Sequence, residues 1–136
     1  MKNLLNRRVV FGVAFGAIAA ISTSAFAADA SAVLKKWDPD RDGTLDLAEV
    51  KKAAIARFEH LDGDHDGTLD AKELSKVGIT KAELAKADPD HDKTLDKNEY
   101  VAIVEARFKH ADPDNDGTLD VAELKTKAGK SLLKLI

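Results

Sequence analysis

The stretch DPDRDGTLDLAE, residues 38–49, recurs with small changes at 62–73, 88–99 and 112–123. Every copy has Asp at positions 1, 3, 5 and 9, Thr at position 7 and Glu at position 12. Alternate residues of a tight loop point inward, so these carboxylates and the carbonyl of position 7 can surround one hard cation with oxygen. No sulfur or nitrogen ligand falls at these positions. The pattern therefore predicts four oxygen-lined metal sites.

This spacing is that of the EF-hand loop, in which position 12 binds through both oxygens and position 9 often acts through water. Four spaced copies argue against chance Asp-rich turns, the other interpretation of each loop taken alone. The predicted ligands occupy the same six positions in every loop and are Asp38, Asp40, Asp42, Thr44, Asp46 and Glu49; Asp62, Asp64, Asp66, Thr68, Asp70 and Glu73; Asp88, Asp90, Asp92, Thr94, Asp96 and Glu99; and Asp112, Asp114, Asp116, Thr118, Asp120 and Glu123.

Position 9 is Asp in every loop, so each loop carries five carboxylates and the four loops hold twenty of the 24 acidic residues. Like charges a few ångströms apart raise one another's pKa and oppose compaction. A divalent ion would leave three surplus negative charges per loop, whereas a trivalent ion would leave two. The charge count favours a highly charged hard cation without excluding calcium.

The N-terminal segment, residues 1–27, has the pattern of a cleaved export signal. Lys2, Arg7 and Arg8 precede an apolar run, and an A-x-A site ends at Ala27. The run is shorter than the ~20 residues that a spanning helix needs, which argues against a retained membrane anchor. The predicted mature domain, residues 28–136, has a net charge of −6 because three of the basic residues are removed from a chain of net charge −3. We expect it to lie free in a periplasm, with no nucleic-acid partner and no membrane association.

The chain is an internal duplication. Residues 36–77 align with 86–127 at an offset of fifty, and within each half twelve residues separate the end of the first loop from the start of the second. That interval holds a single helix, predicted over about 47–61 and 97–111 from apolar residues at helical spacing. A fifteen-residue helix is about 22 Å long, so the two loops that it joins lie at its opposite ends and cannot pair.

A helical corner is predicted between loops 2 and 3. Residues 71–77 can form a short helix that Gly78 ends, and Thr80 with Glu83 forms a capping box for a second short helix. The corner would return loop 2 to the side of loop 3 and leave loop 1 beside loop 4. The expected fold is an all-α, compact EF-hand bundle with loops 1/4 and 2/3 paired at opposite ends.

The sequence resembles the lanmodulins, lanthanide-binding EF-hand proteins of methylotrophic bacteria. The resemblance rests on Pro39, Pro89 and Pro113 after the first Asp, on one helix between adjacent loops, and on Asp at every position 9. It implies a periplasmic protein that prefers lanthanide(III) ions to Ca²⁺, orders on binding them and handles them for alcohol dehydrogenases. It also implies ligands at the six loop positions named above.

Two loops depart from the pattern. Gly63 replaces Pro in loop 2, which should make the empty loop less ordered. Lys93 stands where the other loops have Gly, at a turn that requires positive φ, so we expect either a loss of affinity in loop 3 or a lysine that tolerates the turn and points outward. If both changes weaken binding, the 2/3 end fills after the 1/4 end.

The remaining candidates give weaker signals. The four histidines, His60, His65, His91 and His110, are not expected to bind metal, and no nucleophile–base pair or phosphate loop points to an enzyme. Trp37 is expected to pack at the end of the entering helix. Four C-terminal residues are predicted either to fill the core or to form a dimer or partner patch: Leu132, Leu133, Leu135 and Ile136.

Alternatives to lanthanide trafficking are a calcium buffer or sensor and a calcium-stabilised interaction module like a dockerin.

Overall fold

The computed structural model describes residues 24–136, so the export signal predicted over 1–27 lies largely outside the described residues. No helix in the described part has the length and apolar character needed to cross a bilayer. Seven helices and four two-residue strands follow one another within residues 24–136: α1 Ser24–Trp37, β1 Leu45–Asp46, α2 Leu47–Leu61, β2 Thr68–Leu69, α3 Ala71–Ser75, α4 Lys81–Ala87, β3 Leu95–Asp96, α5 Lys97–Ala111, β4 Thr118–Leu119, α6 Val121–Leu124 and α7 Lys127–Leu133.

The two long helices begin and end where the sequence predicted. Asp46 is the N-cap of α2, and its side chain accepts from the backbone N–H of Glu49 while Glu49 accepts from the N–H of Asp46. This reciprocal pair satisfies two donors that the first helical turn would otherwise leave unpaired. Asp96 and Glu99 repeat the arrangement at the start of α5. The capping residues are thus loop positions 9 and 12, so each loop fixes the start of the helix that follows it.

The loops pair as predicted, through short antiparallel strands at position 8. β1 pairs with β4, with Leu45 opposite Leu119, and β2 pairs with β3, with Leu69 opposite Leu95. All four leucines are fully buried. Because α2 and α5 each carry a loop at both ends, the two strand pairs close opposite ends of an antiparallel helix pair. The predicted 1/4 and 2/3 pairing is confirmed.

The corner between loops 2 and 3 is also confirmed. Gly78 has a φ of 72°, a conformation that glycine adopts without steric penalty, and it follows α3 by three residues. Thr80 then caps α4 by accepting from the N–H of Glu83, whose side chain accepts in return from the N–H of Thr80.

The core lies between α2 and α5 and is completed by the C-terminal segment. The rings of Phe58 and Tyr100 meet edge to face, with centroids 5.7 Å apart. The Tyr100 hydroxyl donates to the carbonyl of Leu135 at 3.0 Å, and burial raises the pKa of Tyr100 to about 12. Leu132 and Leu135 are fully buried. Of the two interpretations of the C-terminal leucines, core packing is confirmed for these two, while Leu133 and Ile136 pack partly buried against the core.

The close approach of α7 to α6 yields a stability prediction. A Cβ at Gly129 would overlap the carbonyl oxygen of Glu123 and lie 2.5 Å from the Cα of Leu124. Gly→Ala inside a helix normally stabilises by about 1 kcal/mol, but overpacking against backbone costs about 1–3 kcal/mol. We expect the clash to dominate, so Gly129→Ala lowers the unfolding temperature of the metal-loaded protein. Lys127→Ala on the same helix is the control and should stay close to wild type; equal unfolding temperatures for both variants would contradict the predicted clash.

Candidate metal centres

The first Asp of each loop organises the loop backbone. In loop 1 the carboxylate of Asp38 accepts from the N–H of Gly43 at 3.0 Å and from the N–H of Arg41 at 2.6 Å. The position-6 N–H makes the same bond in the other three loops, at 3.1 Å from Gly67, 2.8 Å from Lys93 and 3.1 Å from Gly117. The position-1 carboxylates are also the buried charged groups of the described chain. The backbone hydrogen bonds to the first Asp therefore curl each loop around that residue.

Two residues per loop adopt positive φ, and the sequence had predicted only one of them. Position 6 was expected to do so, and Lys93 has a φ of 69° where Gly43, Gly67 and Gly117 lie near 86°. Lys93 therefore makes the turn, in a region where a side chain is disfavoured. The missed position is position 4, where φ lies between 56° and 61° in all four loops, at Arg41, His65, His91 and Asn115. Asn and His adopt positive φ more often than most residues, whereas Arg at this position gives no such indication.

Position 5 is held by position 7 through an Asx-type turn. The Oδ1 of Asp42 accepts from the N–H of Thr44 at 2.8 Å and from its hydroxyl at 2.7 Å. The same pair of bonds recurs in every loop. Thr at position 7 therefore orients the position-5 carboxylate, a contribution that the sequence pattern did not reveal.

Positions 9 and 12 are tied to the start of the following helix. Asp120, for example, accepts from the N–H of Glu123 at 2.8 Å, and the Oε2 of Glu123 accepts from the N–H of Asp120 at 3.0 Å. One oxygen of each carboxylate is thus engaged by backbone. In loops 1, 3 and 4 the described hydrogen bonds engage only Oε2 of the position-12 Glu, which leaves Oε1 available as a ligand.

The structure brings carboxylates of each loop together into a group. In loops 1, 3 and 4, one oxygen from each of positions 1, 3 and 12 lies within 4.8 Å of the other two: Asp38, Asp40 and Glu49; Asp88, Asp90 and Glu99; Asp112, Asp114 and Glu123. In loop 2 the group is formed instead by positions 1, 3 and 5: Asp62, Asp64 and Asp66. The position-9 carboxylates lie outside these groups, at the helix N-caps.

Loop 2 differs because of Gly63. Its backbone N–H donates to the Oε1 of Glu73 at 3.0 Å, while the N–H of Asp70 donates to the Oε2 at 3.2 Å. Proline, which occupies the corresponding position in the other loops, has no N–H to donate. Both oxygens of Glu73 are consequently held by backbone, and Glu73 is not among the three clustered carboxylates of loop 2.

The close approach of the loop carboxylates shifts the pKa of several of them. The Asp38 side chain raises the pKa of Asp40, and burial together with the neighbouring carboxylates Asp46 and Asp40 raises the pKa of Glu49. The pKa of Asp38 shifts in the opposite direction. Its burial would raise the pKa, but hydrogen bonds from Gly43, Asp40 and Arg41 outweigh burial and lower it. The crowded carboxyl groups of Asp40 and Glu49 therefore hold their protons more tightly than usual, whereas that of Asp38 holds its proton less tightly.

The donor set fits a hard cation. Each group offers carboxylate oxygens, the ligands that Ca²⁺ and other hard ions take, and the chain has no cysteine. None of the four histidines joins such a group in the part of the chain with described side chains, and all four are exposed. Oxygen-only coordination is the chemistry that these loops can provide.

Comparison with known families agrees with this geometry. A family model described as EF hand matches residues 55–77 and 103–126, which cover the second half of each long helix and loops 2 and 4. Together with the four loops, these matches support one conclusion. The matches and the geometry support an EF-hand fold with four candidate metal-binding loops. No curated protein matches the sequence. Loops 1 and 3 lie outside the two matches but share the same backbone hydrogen bonds and strand pairing.

The Gly63 hydrogen bond predicts the outcome of one substitution. Gly63→Pro removes the donor that holds Glu73 and restricts the empty loop, and a side chain has room there because a Cβ would lie 3.6 Å from the Glu73 Oε1. We expect loop 2 to bind metal about three- to tenfold more tightly, which corresponds to about 0.7–1.4 kcal/mol. Calorimetric titration measures this change.

The matched control is Pro113→Gly, which gives loop 4 the glycine of loop 2. We expect that variant to bind more weakly, because its loop gains a free N–H and loses a fixed φ. Opposite shifts in the two variants support the proposed role of position 2, and shifts of the same sign contradict it.

The pKa directions predict how the metal-free chain responds to pH. Raised values at positions 3 and 12 mean that the folded loops bind protons more tightly than the unfolded chain, so stability falls as pH rises through those values. Lowered values at Asp38 and Asp88 act oppositely, and their contribution is lost at lower pH. We expect helix content without metal to rise as pH falls from 7 to about 4.5 and to decrease again in stronger acid. Circular dichroism with a chelator present tests this; a steady decrease from pH 7 downward would contradict it.

Proposed function

We propose that this EF-hand protein binds trivalent lanthanide ions with high affinity through its four loops and becomes ordered on binding them. The observation that carries the proposal is the presence of five carboxylates in every twelve-residue loop. Seven of these groups have raised pKa values, which reflect hydrogen bonds between neighbouring carboxyl groups, burial and mutual repulsion: Asp40, Glu49, Asp64, Asp90, Glu99, Asp114 and Glu123. A trivalent ion relieves more of this repulsion than a divalent one.

We expect the protein to become ordered on binding metal because its apolar core is small and its loop carboxylates repel one another. The apolar core depends on a few large side chains, chiefly Phe58 and Tyr100, and on leucines contributed by the loops themselves. Folding without a cation would bury the position-1 carboxylates and bring together acids that repel one another. Metal binding is thus expected to supply a large part of the folding free energy, as it does in many small metal-dependent domains.

The proposed setting is a periplasm, where the protein would take up or carry lanthanides. Support comes from the export signal predicted at residues 1–27 and from the resemblance to lanmodulins. We propose no catalytic role, since EF-hands typically bind metal rather than catalyse. A protein that delivers or receives the ion would have to meet an acidic surface, and a second copy of the chain is the other candidate partner.

A calcium buffer or sensor is the second candidate function. It uses the same ligands, and calcium is the usual ion of EF-hand loops. The calcium-stabilised interaction module would need a large exposed apolar surface, whereas Ile55 is the exposed large hydrophobic residue among those with described side chains. Competition between ions, rather than the ligand set, separates the two metal-binding functions.

Terbium luminescence provides that test, because Trp37 directly precedes Asp38 and can sensitise an ion in loop 1. We expect luminescence excited through Trp37 to persist when calcium exceeds terbium by about a hundredfold, a difference of about 2.7 kcal/mol. Circular dichroism of the same samples should show helix gained with terbium. Loss of the signal at low calcium would favour the calcium buffer, and identical spectra with and without metal would contradict metal-induced folding.

Trp37→Phe is the matched control for the luminescence. It removes the sensitiser while keeping an aromatic residue against the core, so the helix gained with terbium should persist while the sensitised emission from loop 1 disappears. Emission that survives in this variant would come from another aromatic residue, and the titration would then not report on loop 1.

A further inference from the structure

Two equivalent arginines of the duplicated halves differ in how their guanidinium groups are satisfied. Arg107, on α5, donates from Nη1 to the carbonyl of Ser131 at 2.8 Å and from Nη2 to the Oε1 of Glu83 at 2.9 Å. Arg57 occupies the corresponding position on α2, fifty residues earlier. Its Nε is buried and donates no hydrogen bond, and no ion pair to Arg57 occurs among residues 30–136. A buried donor without an acceptor is unfavourable and rare.

The repeat alignment identifies a carboxylate partner that Arg107 has at its Nη2 and that Arg57 lacks among residues 30–136. The helix that enters loop 3, α4, corresponds to the last turns of α1, which enters loop 1: Leu84 aligns with Leu34, and both are buried. Glu83, the carboxylate that pairs with Arg107, aligns with Val33. One half of the molecule therefore holds an arginine–carboxylate pair, and the other half holds the arginine alone.

The surroundings of the two arginines are otherwise alike. Arg57 lines a cavity of about 360 Å³ together with Lys36 and His60. Arg107 lines a cavity of about 420 Å³ with the corresponding Lys86 and His110, and with Glu83. The same three nitrogen-bearing side chains thus surround both cavities, but only the second contains a carboxylate.

We propose that the Arg57 cavity binds the carboxylate of a small organic acid, which takes the place that Glu83 occupies beside Arg107. A guanidinium is suited to carboxylate geometry, and Lys36 adds positive charge at the same cavity. The cavity volume falls within the range of about 300–1,000 Å³ typical of small-molecule sites. Trp37, Ala53 and Ile136 form an apolar wall that accommodates a short hydrocarbon chain. The site does not depend on which cation the loops bind.

The first experiment titrates butyrate into the full-length, metal-loaded protein, with the arginine Nε–H and Trp37 indole N–H signals followed by ¹H–¹⁵N NMR. Saturable shifts are expected for Arg57 and Trp37, with no shift for Arg107, whose partner is already present. Butyramide, an uncharged molecule of the same shape, should leave all three signals in place. Absence of a saturable response to butyrate, or an equal response to butyramide, would overturn the proposal.

Reciprocal variants at the aligned positions make the test specific. Val33→Glu supplies the missing carboxylate within the chain and should weaken butyrate binding at least tenfold. Glu83→Val removes the existing one and should create a new butyrate response at the Arg107 Nε–H. Circular dichroism verifies that each variant is folded, and if Val33→Glu fails to fold, Glu83→Val together with Arg57→Gln, followed through Trp37, decides the question. Unchanged binding in Val33→Glu, or in Arg57→Gln, would contradict the site.

A carboxylate could also come from an acidic side chain of a second copy. This source predicts that the Arg57 Nε–H signal moves as the protein is concentrated without added acid, and that the diffusion coefficient falls in parallel. Such a result would overturn the small-acid proposal in favour of self-association. A signal that is independent of protein concentration but responds to butyrate supports the proposal.

Discussion

The length of one helix determines how the four loops are arranged. α2 and α5 each have 15 residues and begin at the N-cap supplied by one loop and end at the first Asp of the next. At a rise of about 1.5 Å per residue, the two loops of a repeat are too far apart to touch. Each loop must find its strand partner in the other repeat, and the antiparallel pairs β1–β4 and β2–β3 follow. Both ends of the molecule are thus built from both halves of the duplication, and neither half can complete a paired site alone.

Much of this arrangement could be predicted because its signals are local. Apolar spacing located α2 and α5, and Gly78 with Thr80 located the corner. What could not be predicted depends on contacts between distant residues or on conformations without a residue signature. The hydrogen bond from Gly63 to Glu73 spans ten residues, and the pairing of Arg107 with Glu83 spans 24. Positive φ at Arg41 has no compositional cue. The close approach of Gly129 to α6 becomes visible only once the helices are placed.

The candidate metal sites could likewise be predicted only in part. All the predicted carboxylates lie in the loops, but spacing alone could not show how each loop distributes them. The backbone draws on positions 1, 5, 9 and 12 for hydrogen bonds, so a single carboxylate both shapes the loop and faces its centre. Asp88 exemplifies this double use, with one oxygen bound by the N–H of Lys93 and a place in the acidic group of loop 3. The hydrogen bonds that curl the loop also offset part of its charge, because each N–H presents a positive dipole to a carboxylate.

The two ends of the bundle are connected mainly by apolar packing rather than by charge. Ion pairs join α2 to α5 at Lys51–Glu105 and Lys97–Glu59, but their side chains are exposed, and such pairs contribute about 0–1 kcal/mol. The buried stripe that includes Val50, Phe58 and Tyr100 runs between them and excludes water. A change at one loop pair that shifts the start of α2 must also shift this stripe, because α2 begins inside loop 1 and ends at loop 2. Any influence of one metal site on the opposite end would therefore pass through the packing of α2 against α5. This packing follows from the architecture, because each repeat has one fifteen-residue helix that joins its two loops.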